Sequence, residues 1–218
     1  MQTTLGRLGL LALVITLVPG CVIRINADED HHGSYSKVFG GIDIDRHQHV
    51  GDLDSVNGSI TLRDDSHAER VETVNGSIRA HDDVGAYSLE TTNGSIRAGD
   101  NLNIEDSIRT VNGRIEVSEG SVIGHDLETV NGDIDIERTE VRGNVTTVNG
   151  DIRIERASVV RGDVIFEEHR HRRHSSDRPV LHISSDSRIE GNLELRQEVR
   201  LKIEDGAYIG SIVRYDDR

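Results

Sequence analysis

An Asn-Gly pair recurs six times in this chain at intervals of 18 or 19 residues, and no other feature restricts the fold as tightly. The pairs are Asn57-Gly58, Asn75-Gly76, Asn93-Gly94, Asn112-Gly113, Asn131-Gly132 and Asn149-Gly150. Each stands inside a near-copy of one phrase, "ETVNGSIRA" at residues 72–80, which returns as "DSVNGSITL", "ETTNGSIRA", "RTVNGRIEV", "ETVNGDIDI" and "TTVNGDIRI". One period earlier, Phe39-Gly40 in "KVFGGIDID" takes the same place without the Asn. A fixed period of this length marks a repeat architecture, in which one supersecondary unit is stacked many times.

A second series runs four residues ahead of the pairs: Leu53, Val71, Leu89, Ile108, Leu127 and Val145. It continues past the last pair through Val164, Leu193 and Ile212. The step from Val164 to Leu193 is too long for one period. The extra material, within residues 167–179, falls where that copy's Asn-Gly pair belongs and reads as a loop inserted at a corner.

Within each copy apolar and polar residues alternate with period two, the mark of a half-buried strand. In "LETTNGSIRA" the inward set is Leu89, Thr91, Ile96 and Ala98, with Glu90 and Arg97 outward. In "LETVNGDIDI" it is Leu127, Thr129, Ile134 and Ile136. Each copy thus gives two short strands flanking Asn-Gly and a shorter third segment such as "VRGN" or "VIGH". No stretch after the leader carries a helical period.

Two all-β architectures fit. Asn-Gly between alternating strands is the strongest short-range hairpin signal, which permits an antiparallel meander. The alternative is a single-stranded β-solenoid of about nine or ten 18–19-residue coils. The solenoid is favoured because stacking requires a nearly constant repeat length and a meander does not. The third segment also supplies a remaining side to the coil. Coils about 4.8 Å apart place identical side chains on top of one another. Stacked Asn amides can then bond from coil to coil, with Thr73, Thr91, Thr110, Thr129 and Thr147 as a matching ladder. The Gly after each Asn is expected to supply a positive φ at the corner. About nine coils give a rod of roughly 45 Å. Its charged last copies, with Lys202, Glu204, Asp205 and "RYDDR", read as a cap against an open sheet edge.

Aromatics make up only 3% of the 218 residues, with no Trp and 22 Gly, so a thin core of aliphatic and β-branched side chains is expected. The formal net charge is −14. An acidic body suits neither nucleic acid nor anionic lipid as an electrostatic partner.

Residues 1–20 read as a leader: one basic residue, Arg7, then the apolar run "LGLLALVITLVPG", too short for a comfortable membrane span. It stops at Cys21, the only cysteine, which rules out an internal disulfide framework. "LVPGC" resembles a bacterial lipobox, with Val18, Gly20 and Cys21 at the expected places and Pro19 a less usual filler. The resemblance implies cleavage before Cys21 and its lipidation, hence a membrane anchor. An ordinary secretory signal or an uncleaved anchor are the alternatives. Val22, rather than Asp, resembles the default for outer-membrane delivery, facing the periplasm or the cell surface. Residues 21–34 then form the lipidated Cys and a polar tether, and residues 35–218 the solenoid.

The recurring "TVNGDIxI" and "TVNGSIxA" resemble the bacterial adhesin-like family of envelope β-solenoids, whose repeats run "TVSGDIxV". The later "VRGNV", "VRGDV" and "EGNL" steps are faintly similar to bactofilins, which are β-solenoid polymers. These resemblances imply a cell-envelope scaffold or binding module, monomeric and with an envelope protein or glycan as partner. A self-assembling structural element is the alternative. Neither family supplies catalytic residues, and no cofactor is expected.

Candidate chemistry is sparse. The inserted loop holds His169, Arg170, His171, Arg172, Arg173, His174 and Arg178. H-x-H-x-x-H spacing suits a transition metal. Four arginines oppose that, and favour a solvated loop or one that binds an anionic partner. His31, His32, His47 and His49 read as surface residues. Asp64-Asp65 and Asp82-Asp83 fall at turns between repeats, without calcium-loop spacing. No nucleophile is paired with a base, which leaves a polysaccharide-cleaving enzyme as the least favoured alternative. The outward rows Glu72, Glu90 and Glu128 beside Arg79 and Arg97 offer a repetitive polar face for an extended partner.

Overall fold

The computed structural model describes residues 22–25, 33–168 and 178–215. The leader, Cys21, His31, His32 and the loop residues His169 to His174 lie outside the described residues. Every described strand pairing is parallel, no helix is found among the described residues, and the strands stack into a β-solenoid of about nine turns. The antiparallel meander is thereby excluded. Three ladders form the sides of the stack.

The leading face holds the strands before each Asn-Gly, such as Leu53–Asn57 and Leu127–Asn131. Its register joins Leu53, Val71, Leu89, Ile108, Leu127, Val145, Val164, Leu193 and Ile212 in one continuous row. This is the apolar series legible in the sequence, and from Leu53 to Leu193 it is fully buried. The trailing face holds the strands after the pair, such as Ile60–Leu62 and Ile134–Glu137. The short face holds two-residue strands such as Asn103–Ile104 and Val122–Ile123. The short and leading faces merge into single strands in two early coils, His67–Asn75 and Gly85–Asn93, and again in the last two, Arg188–Leu195 and Tyr208–Arg214. In the two early coils the inward residues shrink to Ala68, Ala80, Ala86 and Ala98.

The core is a column of Leu, Ile, Val and Ala, with Phe166 the one buried aromatic. Phe166 lies in register with Thr147, in the coil that lacks an Asn-Gly pair. Of the stretch expected as an inserted loop, residues 169–177 lie outside the described residues. In place of the pair Gln197 reaches back, and its Nε2 donates to the Val148 and Glu167 carbonyls at 2.6 and 2.8 Å.

The Asn ladder is present. From Asn75 on, each Nδ2 donates to the Oδ1 one coil earlier, at 3.0 Å from Asn75 to Asn57 and 2.9 Å from Asn149 to Asn131, while the Asn57 Nδ2 donates to the Val38 carbonyl. The Thr row does not form hydroxyl-to-hydroxyl bonds. Thr73, Thr91 and Thr110 point inward and donate to the carbonyls of Gly58, Gly76 and Gly94, at 2.9, 2.8 and 3.0 Å, tying each strand to the corner of the coil before it.

The role expected of the glycines needs correction. Gly58, Gly76, Gly94, Gly113, Gly132 and Gly150 do not have positive φ; among the described glycines only Gly40, Gly120 and Gly206 do. What excludes a side chain at the six positions is space. A Cβ on any of them would collide with the backbone carbonyl of the equivalent glycine one coil earlier. Left-handed backbone occurs instead at the other corner, at His47, Asp65, Asp83, Asn101, Gly120, Arg138, Arg156 and Ala157. Asp and Asn accept that conformation more readily than most residues. The pairs Asp64-Asp65 and Asp82-Asp83 are therefore turn residues.

Candidate functional site

Along the leading face a groove of about 640 Å³ runs across seven coils. Strand alternation builds it. Thr and Ser point inward and make its floor, and the residues on either side of them stand out as walls. One wall is the row Asp54, Glu72, Glu90, Arg109 and Glu128, stacked in register. The other is the row Val56, Val74, Thr92, Val111, Val130 and Val148. Val74 and Val111 are 42% and 41% exposed, so the valine wall is an apolar stripe open to solvent.

The charges of this face are unevenly met. Arg109 sits between two carboxylates, with Nε 3.1 Å from Glu128 and Nη1 3.8 Å from Glu90. Toward the N-terminal end Asp54, Glu72 and Glu90 follow one another with like charge. Burial, then the carboxylates of Glu90 and Asp54, push the Glu72 carboxyl above its ordinary value. Burial and Asp52 do the same for Asp54. Like charges one rung apart destabilise a ladder, so this row opposes folding.

The trailing face is better balanced, although Arg79 stacks on Arg97 and Glu116 on Asp135. Its outward row runs Asp43, Thr61, Arg79, Arg97, Glu116, Asp135, Arg153 and His182. Opposite charges meet along it: Arg63 with Asp43 at 2.8 Å, Arg97 with Glu116 at 2.7 Å and Arg153 with Asp135 at 2.7 Å. The Arg63 guanidinium holds the Asp43 carboxyl below its usual range. His182 lies between Glu155 and Glu204, at 3.0 and 3.3 Å.

This separation corrects the polar face read from the sequence. Glu72 and Glu90 do not lie beside Arg79 and Arg97, because the Asn-Gly corner turns the chain between them onto another side of the coil. Alternation alone assigns each residue inward or outward; it does not say which outward face. The valine wall was not singled out, although its signal was present as the residue before each Asn.

Other candidates are scattered. Arg178 pairs with Glu198 at 2.9 Å. His47 lies 3.6 Å from Asp65, and the His49 ring sits 5.6 Å from that of His67. Among the described residues no three His, Cys, Asp or Glu side chains converge as a metal site. The class defined by fold and groove is a parallel β-solenoid with one acidic, valine-lined face. No family, no curated protein and no solved structure matches the chain.

Proposed function

We propose that this chain is a non-enzymatic, lipid-anchored β-solenoid of the cell envelope that binds an extended partner along its leading face. The observation that carries this reading is the groove, where a mainly acidic row, with Arg109 its one cation, faces an exposed valine row along the stack. A partner of matching chemistry is an extended segment with cationic groups toward Asp54, Glu72 and Glu90 and apolar groups toward the valines. The threonine hydroxyls of the floor support binding rather than catalysis, because they are already engaged by glycine carbonyls. The lipobox-like ending at Cys21 and the adhesin-like repeats support the envelope setting.

The test is capture from envelope extract by residues 22–218, wild type against the Glu72→Gln, Glu90→Gln double variant. The expected result is a partner retained by the wild type and lost with the double variant. Equal retention by both, or none by either, overturns the groove as the binding face. Full-length protein recovered in the soluble cytoplasmic fraction overturns the anchored reading.

A further inference from the structure

The two ends of the stack are not alike. At the N-terminal end the inward positions are sealed: Ile42, Ile44, Val50 and Leu53 have almost no exposure. A short strand, Ile23–Ile25, pairs on Ile42–Ile44 and adds a further rung there. Lys37 takes the position in register with Ser55, is itself buried, and reaches the Gly41 carbonyl at 3.3 Å. A long polar side chain thus stands where later coils carry Thr.

At the C-terminal end the same rows are open. Leu201, Ile203, Ile209 and Ile212 are in register with Leu181, Ile183, Ile189 and Leu193, all four of which are fully buried. Yet Ile203 is 39% exposed and Ile212 46%, with Leu201 and Ile209 only partly covered. Of the charged residues expected to cap this end, Lys202, Glu204 and Asp205 are exposed and leave these side chains open, while Asp216, Asp217 and Arg218 lie outside the described residues. Among the described residues Arg200–Ile203 is the last strand of its sheet, and one row of its backbone groups has no strand partner there. Core positions left open beside an unpaired edge form a template for another strand.

We propose that the C-terminal coil is a self-association surface, and that two copies meet there tail to tail about a two-fold axis. The edge sequence is self-complementary in that arrangement. A two-fold axis at Lys202 pairs Arg200–Glu204 antiparallel with its own copy. Leu201 then lies opposite Ile203 of the partner subunit, both facing the core. Arg200 lies opposite Glu204 of the partner subunit, both facing out, and this happens twice. The single like-charged pair, Lys202 on Lys202 of the partner subunit, is flanked by those two opposite-charge pairs. Head-to-tail stacking lacks this fit, since it would set Ile203 and Ile212 against the sealed end carrying Lys37. The assembly therefore closes at two copies. Its two N-terminal ends, with any lipid on Cys21, stand at opposite ends of a rod roughly 90 Å long.

Residues 22–218, which carry every described strand, test this by sedimentation and by a disulfide trap at the axis. Directly opposed antiparallel residues have Cα atoms within disulfide range. In a fragment without Cys21, Lys202→Cys is expected to give a covalent dimer on mild oxidation. Thr61→Cys, in the same outward row near the other end, is expected to give none. The unmodified fragment should sediment at twice its chain mass, and Ile203→Asp with Ile212→Asp should halve that mass while the thermal transition persists. A monomer throughout the micromolar range, a ladder of longer polymers, or a dimer that Lys202→Cys does not trap overturns the proposal.

Discussion

The Asn93 side-chain amide donates to Asn75 Oδ1 at 2.9 Å, and Asn93 Oδ1 in turn accepts from Asn112 Nδ2 at 2.9 Å. An interior asparagine therefore serves two coil contacts. Asn149, last in the ladder, donates to Asn131. Net contributions of about 1 kcal/mol per hydrogen bond predict a graded series. Asn93→Ala should cost about 2 kcal/mol and Asn149→Ala about half that. Urea unfolding of both variants checks the ratio. Equal losses would show that the ladder acts through turn conformation rather than through coil-to-coil bonds.

The glycine beside each Asn predicts a different kind of sensitivity. A Cβ at Gly94 meets the Gly76 carbonyl, which is backbone and cannot swing aside. Gly94→Ala should therefore destabilise by about 3 kcal/mol, near the top of the range for overpacking. Gly120 has φ +75, and its added Cβ would meet chiefly the Asn101 side chain, which can move. The equivalent positions Asp83 and Asn101 already adopt left-handed backbone with side chains. Gly120→Asn should cost about 1 kcal/mol or less. Thermal melts of the two variants compare a steric constraint with a conformational one.

The period, the inward rows and the Asn ladder were legible because each follows from spacing and alternation. The reason for glycine at the six corners was not. Asn-Gly ordinarily signals a positive φ, and here the restriction comes from the carbonyl of the coil before. No single repeat contains that neighbour. The pairing of Gln197 with Val148 was hidden for the same reason, since 49 residues separate them. Of the groove, the acidic wall was visible as outward glutamates. Its neighbours were not, because an outward position does not reveal which of three sides it occupies. The open C-terminal coil was masked by its own charged residues, which suggested a cap while Ile203 and Ile212 stayed uncovered.

The two charged faces predict opposite pH behaviour. Folding raises the Glu72 pKa, so its ionised form is disfavoured in the folded state. That penalty is complete above the raised folded pKa, fades as pH falls toward the unfolded value of 4.5, and is gone below it. Glu72→Gln should therefore raise the melting temperature at pH 7 and leave it unchanged near pH 4. Folding lowers the Asp43 pKa, chiefly through the Arg63 hydrogen bond. Its stabilisation is present above the unfolded value of 3.8 and is lost as pH falls through the folded one. Asp43→Asn should lower the melting temperature at pH 7, and the difference should close in acid. Melting curves from pH 7 to pH 3 read both signs, and a Glu72→Gln gain that persists at pH 3 contradicts the charge argument.

Ser66 is almost fully buried, and its Oγ has no hydrogen-bond partner. One coil later Val84 fills the equivalent position and is equally buried, and Leu102 follows it. Farther along, the same row returns to hydroxyls that are used: Ser121 accepts from the Leu102 amide at 3.1 Å and Ser158 from the Thr139 amide at 3.1 Å. Ser66 thus carries the desolvation cost of a polar group without the compensating bond. Ser66→Val removes that cost and adds apolar contact in a row already shaped for Val, and should stabilise the fold by about 1 kcal/mol. Ser158→Val, at a position whose hydroxyl also donates to the Glu155 carbonyl at 2.6 Å, should destabilise by about 1–3 kcal/mol because it strands its partners. Chemical denaturation of the pair decides the point: two serines in one row, of similar burial, should respond with opposite signs.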